Sequence, residues 1–277
     1  MDPARDASPP PAVRRDCRIL EGDFLREDVR ELVLEEPLTI AASGRTVTRL
    51  TYTPGDEENL AIGFLLTEGM ISSMSDVRTV SFCADNGNAV RVEPAEGADV
   101  PRRIEERLSA PDSPTPSDAI IQDIGERIPP FRKPPGRLEP TALFELMDLM
   151  QERQDLFRRT GCTHAAALGT IRNGKLTAES VIVREDIGRH NALDKAVGQA
   201  LRAGLDLGQC LLALSSRAGF QMIAKAAFAG ISDVAAVGAA SALGARLADR
   251  LDMFLAGFVR NGTATVYSGA DALTEQP

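Results

Sequence analysis

Apolar and polar residues alternate along "LTIAASGRTVTRLTYT" (Leu38 to Thr53), and the period of two, broken at Ser43-Gly44, predicts a hairpin turned there. "VRTVSFCADNGNAVRVEP" repeats the pattern around Asn86-Gly87, a pair able to take the positive φ angles of a tight turn. Between them Thr53-Pro54 opens a helix with acids in its first turn and Leu60, Phe64 and Leu65 on one face, ended by Gly69. "TALFELMDLMQERQDLFRRTG" reads as one amphipathic helix capped by Thr141 and closed by Gly161, followed by a hairpin folded at Asn173-Gly174. In "VREDIGRHNALDKAVGQAL" the apolar run Val181–Val183 is a strand, and Ala192, Leu193, Ala196 and Val197 mark a helix, so Arg184 to Asn191 is a strand-to-helix turn. Such a turn offers free N–H groups at the positive end of a helix, a place to hold an anion. The last ninety residues or so read β-α-β-α-β, from "QCLLAL" through "VAAVG" to "FLAGFVRNG". Right-handed crossovers make these strands parallel and gather Ser215, Ser216, Arg217, Ser241 and Arg260 on one rim.

These elements divide the chain into a disordered tail (1–15), a β-rich part (16–108), a proline-rich loop (109–140) and an α/β part (141–277). Cys17 then belongs to the end of the tail. With 277 residues, 43% of them apolar, the chain can build a substantial core. Its net charge of -9 opposes general binding to nucleic acid or anionic membrane. Four scattered cysteines lack the spacing of a zinc site and the density of a disulfide framework. The chain opens without a charged-then-apolar leader and has no apolar run as long as a membrane span, so a cytoplasmic protein is expected.

The candidate chemistry is sparse. Both histidines, His164 and His190, fall in polar stretches beside strand ends, where they either orient a ligand or cap a helix. Cys162 lies two residues before His164, a spacing that permits an activated thiol; the simpler expectation is a small side chain buried against the sheet, as for Cys83 and Cys210. Asp186 with Arg184 or Arg189 reads as a local ion pair, and Asp194 with Lys195 as a solvated helix face. Zinc-deaminase, Walker, dinucleotide-binding and nucleophile-elbow motifs are absent.

Taken together, "PGDEENLAIGFLLTEGMI", "TGCTHAAAL", "REDIGRHNALDKAVG", "SSRAGFQMIAKAAFAGI" and "GFVRNGTATVY" resemble the FdhD family of formate dehydrogenase accessory proteins, in order and spacing, over about Val29 to Tyr267. The resemblance implies an α/β, cytidine-deaminase-like three-layer fold with an additional mostly β N-terminal part. It also implies a homodimer, its surface supplied by the Thr53–Gly69 helix and a sheet edge. The implied task is to carry sulfur from a cysteine desulfurase to the bis-molybdopterin guanine dinucleotide molybdenum cofactor for the formate dehydrogenase apoprotein, with GDP as a mimic of the ligand. Cofactor contacts would fall on His164, Arg189, His190, Ser215, Arg217, Phe258, Val259, Arg260, Asn261, Gly262 and Thr263. Where the family carries a Cys-x-x-Cys, this chain reads Ser113-Pro114-Thr115-Pro116-Ser117, with Ser113 and Pro116 near the expected cysteine positions. Neither a serine oxygen nor a proline holds a sulfane sulfur. The sequence thus admits two readings: a sulfurtransferase-like carrier using a thiol such as Cys162, or a cofactor-binding chaperone without sulfur transfer.

Overall fold

A computed structural model describes residues 10–84, 87–108 and 117–274. The first element corrects the expected tail: strand β1 (Ala12–Glu21) pairs antiparallel with β2 (Phe24–Val33) across a turn at Gly22, so Cys17 sits mid-strand. The ribbon escapes a period-two reading because water reaches most of its side chains.

The two expected hairpins are present. Strands β3 (Glu36–Ala42) and β4 (Arg45–Tyr52) turn at Ser43-Gly44, with φ of 53° and 72°, and β5 (Val77–Cys83) pairs with β6 (Ala89–Pro94). Gly87 has its positive φ, whereas Asn86 lies outside the described residues. Parallel pairing of β3 with β6 joins them into one sheet, ordered β4-β3-β6-β5. Helix α1 (Glu57–Thr67) follows β4, and α2 (Val100–Leu108) follows β6.

Two expectations about helices change. The segment read as a proline-rich loop contains α3 (Ser117–Arg127), whose Ile121 and Ile124 are buried. The single helix expected from Thr141 is two: α4 (Pro140–Glu152), with Pro140 in its first turn and Glu139 at the cap position, and α5 (Asp155–Thr160), closed by Gly161 at φ 68°. Proline at a helix start loses nothing, because its missing N–H would have had no intrahelical acceptor.

The main sheet has seven strands. β10 (Cys210–Leu214), β11 (Asp233–Ala236) and β12 (Phe254–Arg260) run parallel. Their flanks are antiparallel: β13 (Thr263–Ser268) on one side, β7 (His164–Arg172) on the other, the latter pairing with β8 (Lys175–Leu176) and β9 (Ile182–Asp186). Helices α6 (Arg189–Arg202), α7 (Phe220–Phe228) and α8 (Ala242–Arg250) cover one face, and α4 covers the other. This is the expected α/β arrangement of helix, sheet and helix layers, with the small β sheet and α1 packed outside α6. Alternate residues of β10 divide between the layers: Leu212 and Leu214 face α6 and α7, Leu211 and Ala213 face α4.

Helices α1 and α6 meet backbone to backbone. A Cβ added to Gly198 would lie 1.9 Å from the Asn59 carbonyl oxygen, and one added to Gly63 would lie 1.8 Å from that of Asp194. Leu60, Ala61, Ile62, Leu65 and Leu66 of α1 are all buried in this contact and its surroundings, so α1 is part of the core. Among the described residues no helix is long and apolar enough to cross a membrane.

Candidate functional site

The turn between β9 and α6 is built from inside. Asp186 is fully buried and accepts hydrogen bonds from the backbone N–H of Thr53 at 3.0 Å, the N–H of Gly188 at 2.8 Å and Asn191 Nδ2 at 3.0 Å. Its ion-pair partner is Lys195, 2.8 Å away and 2% exposed, which also donates to the Thr53 carbonyl at 2.7 Å. Asn191 Nδ2 reaches the Thr51 carbonyl as well, and the Ile187 N–H donates to Thr53 Oγ1. The end of β4 therefore clamps the turn.

A second buried network starts from Asp194, the residue of α6 next to Lys195. Asp194 accepts from Thr67 Oγ1 at 2.7 Å and pairs with Lys225 at 2.9 Å, while Lys225 also meets Glu68 at 3.1 Å. These contacts tie α6 to α1 and α7. They correct the expectation of Asp194 and Lys195 as a solvated face: both are at most 2% exposed, and each has a partner on another element. Asp186 likewise pairs with Lys195 rather than with Arg184 or Arg189; Arg184 meets Asp56 at 3.0 Å. Glu185 accepts from the N–H groups of Leu156 and Phe157 and from Thr163 Oγ1, so it anchors the start of α5. Most of the polar residues in this stretch are thus internal struts.

Arg189 and His190 are left over, and they open onto a cavity. It measures about 620 Å³ and lies at the carboxyl ends of β10 and β11. Three helix starts line it: Arg189 and His190 of α6, Gly219 and Phe220 of α7, and Ser241, the cap of α8. Arg217, Gln221, Met222, Ala239 and Ala240 complete the wall. The loops after β10 and β11 continue the parallel pairing beyond the strands, through Ala218 N–H to Ala239 O at 3.0 Å and Ser241 N–H to Ala218 O at 3.1 Å. That zipper brings the starts of α7 and α8 side by side. Gly238 allows it, since a Cβ there would lie 2.9 Å from Arg217 Cγ.

The cavity is electropositive. No acid occupies the first turn of α6, α7 or α8, and no side chain caps α6 or α7. First-turn N–H groups have no intrahelical acceptor, so they present their partial positive charge to the cavity. Among the described residues neither Arg189 nor Arg217 has an ion pair. Burial, then Arg189 and Arg217, hold the His164 pKa below its ordinary 6.5. His190 is lowered too, by burial first and then by Arg189 and Lys225, and its Nε2 is buried without a hydrogen-bond partner. Both imidazoles therefore favour the neutral form at pH 7, each beside cationic neighbours, although Glu68 and a hydrogen bond with Gln221 act the other way on His190. A second cavity of about 490 Å³ shares His190, Phe220 and Gln221 with the first and runs toward Lys225 and α3.

The other sequence candidates are dispersed. Ser215 Oγ accepts from the Ala165 N–H at 2.8 Å and so joins β10 to β7. Phe258, at φ 51° and 43% exposed, donates its N–H to the Gly238 carbonyl beside the rim; Val259 is buried, and Arg260, Asn261, Gly262 and Thr263 are exposed on the β12–β13 hairpin outside the cavity wall. Cys162 is exposed, contrary to the expectation of a buried thiol, because it precedes β7 instead of lying within it. It leaves the sheet on the same rim, where the start of β7 flanks the end of β10. Cys83 is half-buried and Cys210 fully buried. Ser113 and Pro116 lie outside the described residues. The candidates taken from the sequence leave out Gly219, Phe220, Gln221, Met222, Ala239 and Ala240 of the wall, although their place around helix starts following parallel strands was available as a signal.

The model of the FdhD/NarQ family matches residues 33–274. The chain is 40% identical to a protein of Streptomyces coelicolor named sulfur carrier protein FdhD, over 93% of this chain and 94% of that one. A protein of the same name from Corynebacterium efficiens is 38% identical over 86% and 89% of the two chains. The fold is similar to that of a crystal structure described as a formate dehydrogenase accessory protein from Desulfotalea psychrophila, with TM-score 0.75 and 22% identity over 95% of this chain and all of that one.

Proposed function

We propose, from the premise that this chain belongs to the FdhD/NarQ family, that it is a formate dehydrogenase accessory protein whose rim cavity binds the guanine-dinucleotide end of the bis-molybdopterin guanine dinucleotide molybdenum cofactor for delivery to the apo-dehydrogenase. The observation that carries the reading is the meeting of three helix starts with two arginines that have no ion pair among the described residues. A pyrophosphate suits that donor set: helix-start N–H groups and the forked guanidinium groups of Arg189 and Arg217 would donate to its oxygens, while Phe220, Met222 and the alanines offer apolar surface to a base. GDP titrated by calorimetry is the direct test. Arg189→Ala or Arg217→Ala should each weaken binding by about 1.5–3 kcal/mol, the scale of a charged hydrogen bond, while leaving thermal unfolding unchanged. A wild-type protein that does not bind GDP, or variants that lose stability and keep affinity, would refute it.

A second reading, sulfur carriage, is favoured by the exposure of Cys162 on the same rim. A Cys162 thiolate would take the sulfane sulfur from the persulfide of a cysteine desulfurase, whose own thiol is returned. Incubation with a desulfurase and cysteine, followed by cyanolysis and mass spectrometry, separates the two readings. One added sulfur on Cys162, lost in Cys162→Ser, supports carriage; no adduct leaves binding and delivery as the function.

A further inference from the structure

The second cavity, of about 490 Å³, continues from the rim cavity across a shared wall of His190, Phe220 and Gln221. Two helices border it with apolar side chains: Ile120 and Ile124 of α3, Ala224 and Phe228 of α7. Space of that size between apolar walls suits a small ring, and what such a ring must look like is set by the few polar groups beside it. Most of these are already committed. Lys225 is joined to Glu68 at 3.1 Å and to Asp194 at 2.9 Å, and Arg127 lies over the Phe228 ring, 4.6 Å from its centroid. Asp123 stands four residues before Arg127 on α3, the spacing of a helical ion pair, yet it pairs with no cation among the described residues. Its carboxylate borders the cavity unpaired.

We infer that the second cavity seats a 2-amino-4-oxopyrimidine ring, the ring that guanine and pterin have in common, and that Asp123 selects it by accepting from its ring N–H and its amino group. The inference rests on the rim cavity being a dinucleotide site. A carboxylate only accepts, and it can take two parallel hydrogen bonds at once. On this ring the N–H and NH2 groups lie side by side and match it. Adenine and cytosine set a ring-nitrogen lone pair beside their amino group, and uracil sets its one N–H between two carbonyls, so each would oppose lone pairs to the carboxylate. The carbonyl next to the matched pair has a donor in Arg127, on the same helix as Asp123. Aromatic faces stack on any flat heterocycle, so Phe220 and Phe228 supply affinity and Asp123 supplies the choice. A molybdopterin guanine dinucleotide carries such a ring at each end, with the pyrophosphate between. With the pyrophosphate at the helix starts, the shared wall lets one of the two rings continue into the second cavity.

The test is calorimetry on the full chain with three probes: GDP, inosine diphosphate, which lacks the 2-amino group, and 6-hydroxymethylpterin. Two variants leave the rim arginines in place: Asp123→Asn, at an exposed position, and Ala224→Leu, which narrows the cavity. Thermal unfolding checks that both fold. With guanine as the occupant, wild type prefers GDP to inosine diphosphate, Asp123→Asn weakens GDP by about tenfold or more, the scale of a charged hydrogen bond, and the preference disappears. With pterin as the occupant, GDP affinity is the same in both proteins, and the pterin binds GDP-loaded wild type about tenfold or more tighter than GDP-loaded Asp123→Asn. Ala224→Leu should weaken whichever ring responds to Asp123. GDP binding that falls in Arg189→Ala but ignores both cavity variants, together with a pterin that does not bind or ignores them too, overturns this inference and leaves the rim site standing. A wild type that binds neither GDP nor the pterin overturns both.

Discussion

Replacing Gly198 with alanine turns on the sign of two opposed effects. In an ordinary helix interior Gly→Ala is stabilising, by about 1 kcal/mol, because glycine has more conformational freedom to lose on folding. At Gly198 the added carbon would lie 1.9 Å from the Asn59 carbonyl oxygen, 2.7 Å from its carbon and 2.8 Å from Gly63 N, all backbone atoms. No rotamer change relieves that contact, so α1 and α6 must separate by more than 1 Å at the crossing. A gap of that size removes a quarter to a half of each dispersion contact along the interface. Overpacking costs of about 3 kcal/mol are the upper part of the usual range, and rigid backbone on both sides places Gly198→Ala there. Subtracting the helix-propensity gain leaves a net destabilisation of about 2 kcal/mol.

The same protein supplies the control. Gly125 also lies inside a helix, α3, but a Cβ there would meet only the guanidinium end of Arg250, at 3.1–3.2 Å, which can swing aside. Gly125→Ala should therefore be neutral or gain up to about 1 kcal/mol. Equilibrium urea unfolding, read as midpoint and slope, compares both variants with wild type. If Gly198→Ala is as stable as Gly125→Ala, the close backbone approach of α1 and α6 is wrong.

Lys195→Met leaves the Asp186 carboxylate buried with its three N–H donors and no cation, and should cost about 3 kcal/mol; adding Asp186→Asn should recover part of the loss, and a single-variant loss below about 1 kcal/mol in urea unfolding would refute the strut. His164 and His190 are held below 6.5, so from that value down to their folded pKa values the unfolded chain binds more protons than the folded one. Stability then falls as pH drops through 6.5 and levels off below the folded values; the double His164→Gln, His190→Gln variant should flatten that slope, and an unchanged slope would count against it. An anion in the cavity raises both pKa values, so GDP should bind with net proton uptake below pH 6.5. Calorimetry in buffers of different ionisation enthalpy checks this, and proton release would contradict it.

What the sequence disclosed and what it hid differ in range. The hairpins at Ser43-Gly44 and Asn173-Gly174 and the succession β10-α7-β11-α8-β12 rest on local alternation and turn residues, and all are present. α3 carried its own signal in Ile120, Ile121 and Ile124, which the surrounding prolines obscured. Asp194 and Lys195 looked solvated because nothing within several residues neutralises them; their partners include Thr67, 127 positions away, and Thr53, 142 away. Gly63 and Gly198 are where two backbones touch, a contact between segments 135 positions apart that no local pattern marks. In the candidate site the same division holds: helix starts at strand ends were readable, whereas Arg189 and His190 were singled out only through the family resemblance, and the physical ground for choosing them over their polar neighbours is that most of those neighbours are already paired.

That selection explains how a chain of net charge -9 can present a cationic cavity. Gathering two arginines and three helix starts in about 620 Å³ is self-repelling, and the repulsion must be resisted by the frame. Asp186–Lys195 and Asp194–Lys225, the latter joined by Glu68, do this without spending the site's charge: they set buried lysines against buried acids behind the rim and fix α6 against β4, α1 and α7. The acidic remainder acts at another distance. At physiological salt, charges more than about 8 Å apart are largely screened at exposed sites, so the surface repels a polyanion weakly while the rim attracts it at contact. Added salt then weakens contact attraction and long-range repulsion together, and anion affinity in this cavity should depend less steeply on ionic strength than on a uniformly basic surface.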